Sequence, residues 1–341
     1  MRNLFLCVAL FLAVVSTSAQ KKFAVYGIAF YNIENLFDTI PGDNDKEYTP
    51  NGPNKWNTMK YQSKLKNMAY AISQLGMDKS PIGPAVIGLA EVENRAVLED
   101  LVKTGELAKR NLQVVHEDGP DYRGVDVALL YNPKLFKYEG HQSRTLVDKE
   151  EPRFRTRDQL VVRGRIDGEL FNIIVNHWPS RRGGEERSRP KRANAAQLTK
   201  DIIDSIQQVT PESKIVIMGD LNDDPNNYSV KDVLQAKKYE KDVKPGGLFN
   251  PFWSIFDKGI GTLAYKGQWN LFDQIIISYN LLGKDRSSLK FWKAEVFNKD
   301  FLKTQEGTYK GYPKRTHAGG VWTNGYSDHF PTLIYLVKEI Q

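Results

Sequence analysis

The chain has a single cysteine, Cys7, in 341 residues. Its position near the N-terminus leaves the body of the protein without disulfides, without a thiol nucleophile and without thiolate metal ligands. After the first fifteen residues no stretch approaches the roughly 20 apolar residues that a membrane span needs. There is no Gly-x-Ser-x-Gly or comparable nucleophile motif, which argues against a covalent acyl or phosphoryl intermediate. Internal repeats, low-complexity tracts and Pro/Ser-rich linkers are also missing, which excludes solenoids and multidomain arrays. Stability must come from a packed core, and chemistry from carboxylates, amides, five histidines and the basic residues.

The first residues read as a leader. Arg2 supplies a short positive segment, residues 4–15 an apolar one, and Thr17-Ser18-Ala19 a small-residue cleavage site before Gln20. We therefore expect a signal peptide over 1–19, export to the periplasm or the extracellular space, no stable membrane anchor, and one catalytic domain over 20–341. Cys7 precedes most of the apolar run instead of following it, which does not suit a lipid anchor. The formal charge of +7 becomes +6 without Arg2. Eleven of the 17 arginines fall between Arg144 and Arg192, so basic character belongs to one region. Guanidinium groups pair bidentately with phosphates and carboxylates, although a solvated basic face would have the same composition.

Short apolar runs alternate with helical spacing along the chain. Strands are expected at 23–31, 85–90, 113–116, 125–131, 136–146, 159–166, 170–176, 215–218, 271–278 and 331–337. Helices are expected at 59–75, stopped by Gly76, at 96–108, at 192–208 and near 230–236. Asp167-Gly168 reads as a two-residue hairpin turn. Two βα units, a block of antiparallel strands, a long helix and further strands indicate an α/β protein with two stacked mixed sheets flanked by helices.

The polar residues at the strand ends are more telling. The run Ile215-Val-Ile-Met218 leads through Gly219 into Asp220, Asn222, Asp223, Asp224 and Pro225. Other apolar runs end in Asn32 and Glu34, in Glu91, and in Asn176 and His177; Asp273 opens one strand, and Ser327-Asp-His329 precedes the last. One polar strand end is turn chemistry. Six, drawn from Asn, Asp, Glu and His, imply one convergent site at the rim of the sheets.

Seven segments in this order, spanning nearly the whole chain beyond residue 20, resemble the endonuclease/exonuclease/phosphatase superfamily, the deoxyribonuclease-I-like proteins. They are Phe30-Tyr-Asn-Ile-Glu-Asn-Leu-Phe-Asp38, Leu89-Ala-Glu-Val-Glu-Asn94, Arg123-Gly-Val-Asp-Val-Ala-Leu-Leu-Tyr131, Val175-Asn-His-Trp-Pro-Ser-Arg-Arg-Gly-Gly184, Gly219-Asp-Leu-Asn-Asp-Asp-Pro225, Phe272-Asp-Gln-Ile-Ile-Ile277 and Tyr326-Ser-Asp-His-Phe-Pro331. The forms at residues 31–38 and 176–181 look like an exported bacterial subgroup of that family.

The resemblance implies a four-layer α/β/β/α sandwich and hydrolysis of phosphoesters with a divalent metal, Mg²⁺ or Mn²⁺ in its place. It implies Glu91 as the main metal carboxylate, with Asn32, Glu34 and Asp328 beside it. It implies His329 as catalytic histidine oriented by Asp273, Asp220 as the group positioning the attacking water, Asn222 and Asn176 at the phosphoryl oxygens, and His177 against the phosphate or leaving group. Arg157, Arg181 and Arg182 are expected to meet substrate phosphates. The expected enzyme is an exported metal-dependent phosphodiesterase acting on DNA or RNA, with no protein partner inferred. A phosphatase or phospholipase acting on inositol phosphates or sphingomyelin is the alternative, and a catalytically dead binding protein a further one. Residues 38–59 and 246–268 match nothing that chooses among substrates. Glu93 and Asn94 read as helix-cap residues, His317 as an ordinary histidine more than as one that reaches the site, and the tryptophans 253, 269, 292 and 322 as packing residues.

Overall fold

The computed structural model describes residues 22–42 and 46–340. The expected leader over 1–19, with Cys7, lies outside these residues. In chain order come β1 (Lys22–Leu36), α1 (Thr58–Ser73), β2 (Val86–Val92), α2 (Arg95–Val102), α3 (Gly105–Ala108), β3 (Gln113–His116) and β4 (Asp126–Tyr131). Next are β5 (Phe136–Arg144), β6 (Gln159–Ile166), β7 (Glu169–His177), α4 (Glu185–Val209), β8 (Lys214–Asp220), β9 (Leu248–Phe249) and α5 (Trp253–Phe256). The chain ends with β10 (Leu263–Tyr265), β11 (Gln268–Asn270), β12 (Asp273–Ser278), β13 (Lys290–Val296), β14 (His317–Ala318), β15 (Val321–Trp322) and β16 (Thr332–Ile340).

Two six-stranded mixed sheets result, ordered β13-β16-β1-β2-β4-β3 and β5-β6-β7-β8-β12-β9. Each contains one parallel pair, β1 with β2 and β7 with β8. Each parallel pair is joined by a crossover helix, α1 in the first sheet and α4 in the second, because parallel neighbours need a long connection. Alternate residues of the strands divide three cores. Ile28 and Phe30 of β1 meet Val216 and Met218 of β8 between the sheets. Ala29 and Tyr31 face α1 with Leu65, Met68 and Ile72, while Ile215 and Ile217 face α4 with Ala195, Ala196 and Ile202. Central strands buried on both faces explain why their sequences are unbroken apolar runs. The layers are helix, sheet, sheet, helix, and the fold is the expected α/β/β/α sandwich.

Several elements differ from their sequence patterns. The expected helix over 96–108 is two helices, parted at Thr104 and at Gly105, which has φ +51°. Helix α4 starts at Glu185, seven residues before the expected start, since its first turns carry Pro190 and charge rather than an apolar face. The stretch near 230–236 makes only the short π-type turn Ser229–Val233. Strand β13 and the hairpins β10–β11 and β14–β15 lack a periodic apolar pattern because they lie at an edge or on the surface. Asp167-Gly168 does close the β6–β7 hairpin, with φ +50° and +78°.

Candidate active site

Topology brings the polar strand ends together. The carboxyl ends of β1, β2, β7 and β8 carry Asn32 and Glu34, Glu91, His177 and Asp220. Strand β12 runs antiparallel to β8, so its first residue, Asp273, lies directly opposite Asp220. His177 stands across from Asp220 on the other side, in parallel register. Strand β16 runs antiparallel to β1, which puts its start, just after His329, at the same rim.

The backbone is strained at this rim. Between Asn32 and Leu36, β1 passes three residues for the single residue Glu91 that separates Ala90 from Val92 in β2. Glu91 is also the extra residue opposite β4, where Val92 pairs with Asp126 directly after Ala90 pairs with Val127. Glu34, Asn35, Glu91 and Asn222 all adopt left-handed φ values between +50° and +64°. Such bulges re-aim side chains and cost energy that the surrounding sheet must offset. Glycine serves the reverse purpose at Gly219, where a Cβ would lie 2.3 Å from the Asn176 carbonyl oxygen; its absence lets β7 and β8 close at the rim.

At the centre, His329 Nδ1 lies 2.7 Å from Asp273 Oδ2. The other ring nitrogen, Nε2, faces Asp220 Oδ2 at 3.9 Å. Burial alone would lower the His329 pKa, but Asp273, Asp220 and Asp328 overcome it and hold the ring well above an ordinary histidine, as imidazolium. Asp220 accepts from Asn32 Nδ2 at 3.1 Å and from the Asn222 backbone N–H at 3.0 Å. Its pKa is pushed up to about 6, first by burial, against the pull of His329. His177 Nε2 is 3.6 Å from Asp220 Oδ2. Burial, with Arg157 and Arg123 nearby, drives the His177 pKa well below its usual value and keeps the ring neutral.

Two further groups complete the rim. Glu91 accepts from Arg123 Nη1 at 3.2 Å and from the Asn35 backbone N–H at 3.1 Å. Burial opposes the charge on Glu91, yet Arg123 holds the pKa below the usual value. Glu34 accepts from the Thr316 N–H at 2.6 Å and from Arg315 Nε at 3.3 Å, while Arg315 Nη2 reaches Asp328 at 2.8 Å. Burial and then Asp328 lift the Glu34 pKa to about 7. Buried Lys64 donates to Thr316 Oγ1 and to the Tyr326 carbonyl, each at 2.5 Å, and so ties α1 to the loop bearing Arg315 and Asp328.

Oxygen donors of this kind suit a hard divalent cation, which needs only one or two protein carboxylates. Asp220, Asp273 and His329 also have potential ligand atoms within 4.8 Å of one another. The Asp273–His329 hydrogen bond occupies two of those atoms. Glu91 is likewise hydrogen-bonded on both oxygens, to Arg123 and to Asn35, and each oxygen keeps a further lone pair.

Some expected residues serve the fold instead. Asn176 is fully buried; its amide donates to the carbonyls of Ile174 and Met218 and accepts from Trp178 Nε1 and Thr199 Oγ1. It cannot also meet a phosphoryl oxygen. Arg157 is buried and spends its guanidinium on the carbonyls of His177 and Trp178, at 3.2 and 2.6 Å, and on Asp121 at 3.1 Å. Arg181 donates to the Asn222 carbonyl and to Asp223 and Asn227. Asn222 turns its amide nitrogen to the Trp178 carbonyl at 3.0 Å. These arginines buttress the rim; Arg182 is exposed. His317 lies in β14 with its ring 5.9 Å from that of Trp56. Asn94 caps α2 through Val97 N–H, and Glu93 accepts from Asp38 N–H. Arg123, Arg315 and Lys64 escaped the sequence reading. Arg123 opens the segment Arg123–Tyr131, but nothing local in the sequence ties it to Glu91, and a lysine on an amphipathic helix reads as solvent-facing.

The Endonuclease/Exonuclease/phosphatase family model matches residues 27–338. The chain belongs to that family. Its enzyme class is accordingly metal-dependent phosphoric ester hydrolysis. A D. rerio TDP2 structure complexed with a single-strand DNA product is similar over 92% of this chain and 99% of its own, at 12% identity and TM-score 0.55. A Bacteroides thetaiotaomicron endonuclease/exonuclease/phosphatase family protein covers 94% and 100%, at 13% identity and TM-score 0.55. Caenorhabditis elegans TDP2 covers 92% and 74%, at 15% identity and TM-score 0.54. At these identities the likeness concerns the fold. No curated protein sequence matches the chain.

Proposed function

We propose that this chain is an exported phosphodiesterase using Mg²⁺, or Mn²⁺ in its place, that hydrolyses DNA or RNA by direct attack of water. The Asp273–His329 hydrogen bond, with the free imidazole edge turned to Asp220, carries the proposal. The D. rerio TDP2 structure with single-strand DNA product supports a nucleic-acid substrate on the same fold.

Asp220, with a pKa near 6, is largely ionised at neutral pH and accepts the proton of the attacking water. As the water oxygen bonds to phosphorus, the ester P–O bond opposite it breaks, and the leaving oxygen takes a proton from solvent. The His329 imidazolium places its Nε2–H toward charge growing on a phosphoryl oxygen, and Asp273 fixes the ring for that task. Neutral His177 stands beside Asp220, its Nε2 3.6 Å from Oδ2, and adds no positive charge there that would weaken the base. Glu91 and Asn32, with Glu34 and Asp328 beside them, would hold the divalent cation. When bound, that ion supplies Lewis-acid stabilisation of charge on the phosphoryl group.

The test is purified protein with Mg²⁺ or Mn²⁺ against single-stranded DNA, plasmid, RNA, inositol phosphates and sphingomyelin. Cleavage of nucleic acid, lost in Glu91→Gln with unchanged circular dichroism, is expected. Hydrolysis of inositol phosphates or sphingomyelin with nucleic acids untouched would replace the nuclease assignment. Export is checked separately by fractionating cells that express the full chain.

A further inference from the structure

Beside the active site lies a cavity of about 490 Å³ whose lining includes Phe154, Thr156, Ser180, Arg182, Arg187 and Lys191. It adjoins the catalytic row directly. Arg157, in its wall, donates to the His177 and Trp178 carbonyls, and Pro179 and Ser180 continue the chain from there. Its cations are not equivalent. Lys191 pairs with Glu151 at 2.9 Å and lies over the Phe154 ring at 4.2 Å. Arg182 and Arg187 are exposed and make no hydrogen bond or ion pair within the described residues. Thr156 provides a second, independent sign. The residue is only 3% exposed and lines the cavity, yet Oγ1 has no hydrogen-bond partner. A buried hydroxyl left unsatisfied costs free energy that a ligand oxygen can recover. Glu151, the one carboxylate in the lining, is taken up by Lys191, which leaves two unpaired guanidinium groups and an unpaired hydroxyl around the cavity, a donor set that suits a phosphate.

We infer that this cavity binds a second phosphate group, distinct from the one being cut. Building on the nuclease assignment, its source is a neighbouring phosphate of the polynucleotide, held so that the scissile one reaches Asp220 and His329. A free phosphorylated compound would present the same chemistry. Arg157 and Arg181, buried or committed to protein acceptors, form the scaffold of the cavity and rim rather than the contacts.

Calorimetric titration with inorganic phosphate, in EDTA, tests the cavity itself. Wild type and Glu91→Gln should bind alike, Arg182→Gln with Arg187→Gln at least tenfold more weakly, and Thr156→Val several-fold more weakly. Thr156→Val should not lower the unfolding midpoint, because it removes an unsatisfied hydroxyl; a purely structural threonine would give the opposite. Equal phosphate affinity in wild type and the arginine double variant overturns the inference.

Oligonucleotides identify the source. If it is a neighbouring phosphate, wild type should gain about tenfold in kcat/KM from dinucleotide to tetranucleotide, and the arginine double variant should lose that gain. Cavity-dependent phosphate binding with no cleavage of any nucleic acid would keep the phosphate site, assign it to a free phosphorylated compound, and overturn the nuclease assignment alone. A length-dependent gain that persists in the double variant overturns the polynucleotide source.

Discussion

Asp273 is fully buried, and only one of its two oxygens finds a hydrogen-bond partner, His329 Nδ1. A buried carboxylate with so little satisfaction costs free energy unless a cation compensates it, and the His329 imidazolium is that cation. The two side chains should therefore act as a unit. Asp273→Asn is expected to lower kcat by about 10² to 10⁴ with little change in KM, the range of general acid–base assistance. The double variant with His329→Ala should lose scarcely more than either single one. Steady-state kinetics on a diester substrate checks this, and losses that multiply would mean that the residues work independently.

At the scale of elements, the bulge where β1, β2 and β4 meet is the most specific feature of the site. An L-residue with a side chain held at φ +64°, as Glu91 is, gives up roughly 1–2 kcal/mol relative to ordinary backbone. Glycine does not pay that penalty. Glu91→Gly should accordingly be more stable than Glu91→Ala by about 1 kcal/mol, although both lose the same carboxylate and both are inactive. Urea unfolding of the pair reads the difference. Equal midpoints would show that the sheet imposes no strain there, and that Glu91 is held by its contacts with Arg123 and Asn35 alone. The expected strand ended at residue 90 because a carboxylate after an apolar run looks like a loop. The ladder in fact continues past it to Val92, and the bulge is what turns the side chain toward the rim.

Across the whole molecule, His317 and His177 work against the fold in acid, while Glu34 and Asp220, whose raised pKa values let the folded chain take up protons first, work the other way. Burial lowers the His317 pKa to about 4, helped by Lys60, Lys64 and Arg315, and burial holds His177 low as well. Between the unfolded histidine value near 6.5 and about 4, the unfolded chain binds protons that the folded one refuses, so stability falls as pH falls. His329 has the opposite sign, because its raised pKa adds stability that is complete below about 6.5 and is lost as pH rises through the folded value. His317→Asn, distant from the Asp273–His329 pair in role, should lose less stability than wild type between pH 7 and pH 4.5, roughly the window those pKa values bracket. Urea midpoints at the two pH values measure it; identical losses would place the acid sensitivity elsewhere.

The sequence by itself determined the layers and most of the strand ends. Strands buried on both faces must be continuous apolar runs, α1 must show an apolar stripe, and a run such as Ile215–Met218 must stop where Asp220 begins. Those are local constraints, and they are written in adjacent residues. Asn32, Glu34, Glu91, His177, Asp220, Asp273 and His329 were all legible in this way, because each follows or precedes such a run. Only the tertiary structure decided which polar groups are free to act. Asn176 and Arg157 carry the right chemistry but are consumed by carbonyls brought to them from β8 and from residues 177–178. Lys64 is drawn under the site by partners about 250 residues away in the chain, Thr316 and Tyr326. Hydrogen-bond satisfaction is a property of distances between remote segments, and no periodicity along the chain encodes it.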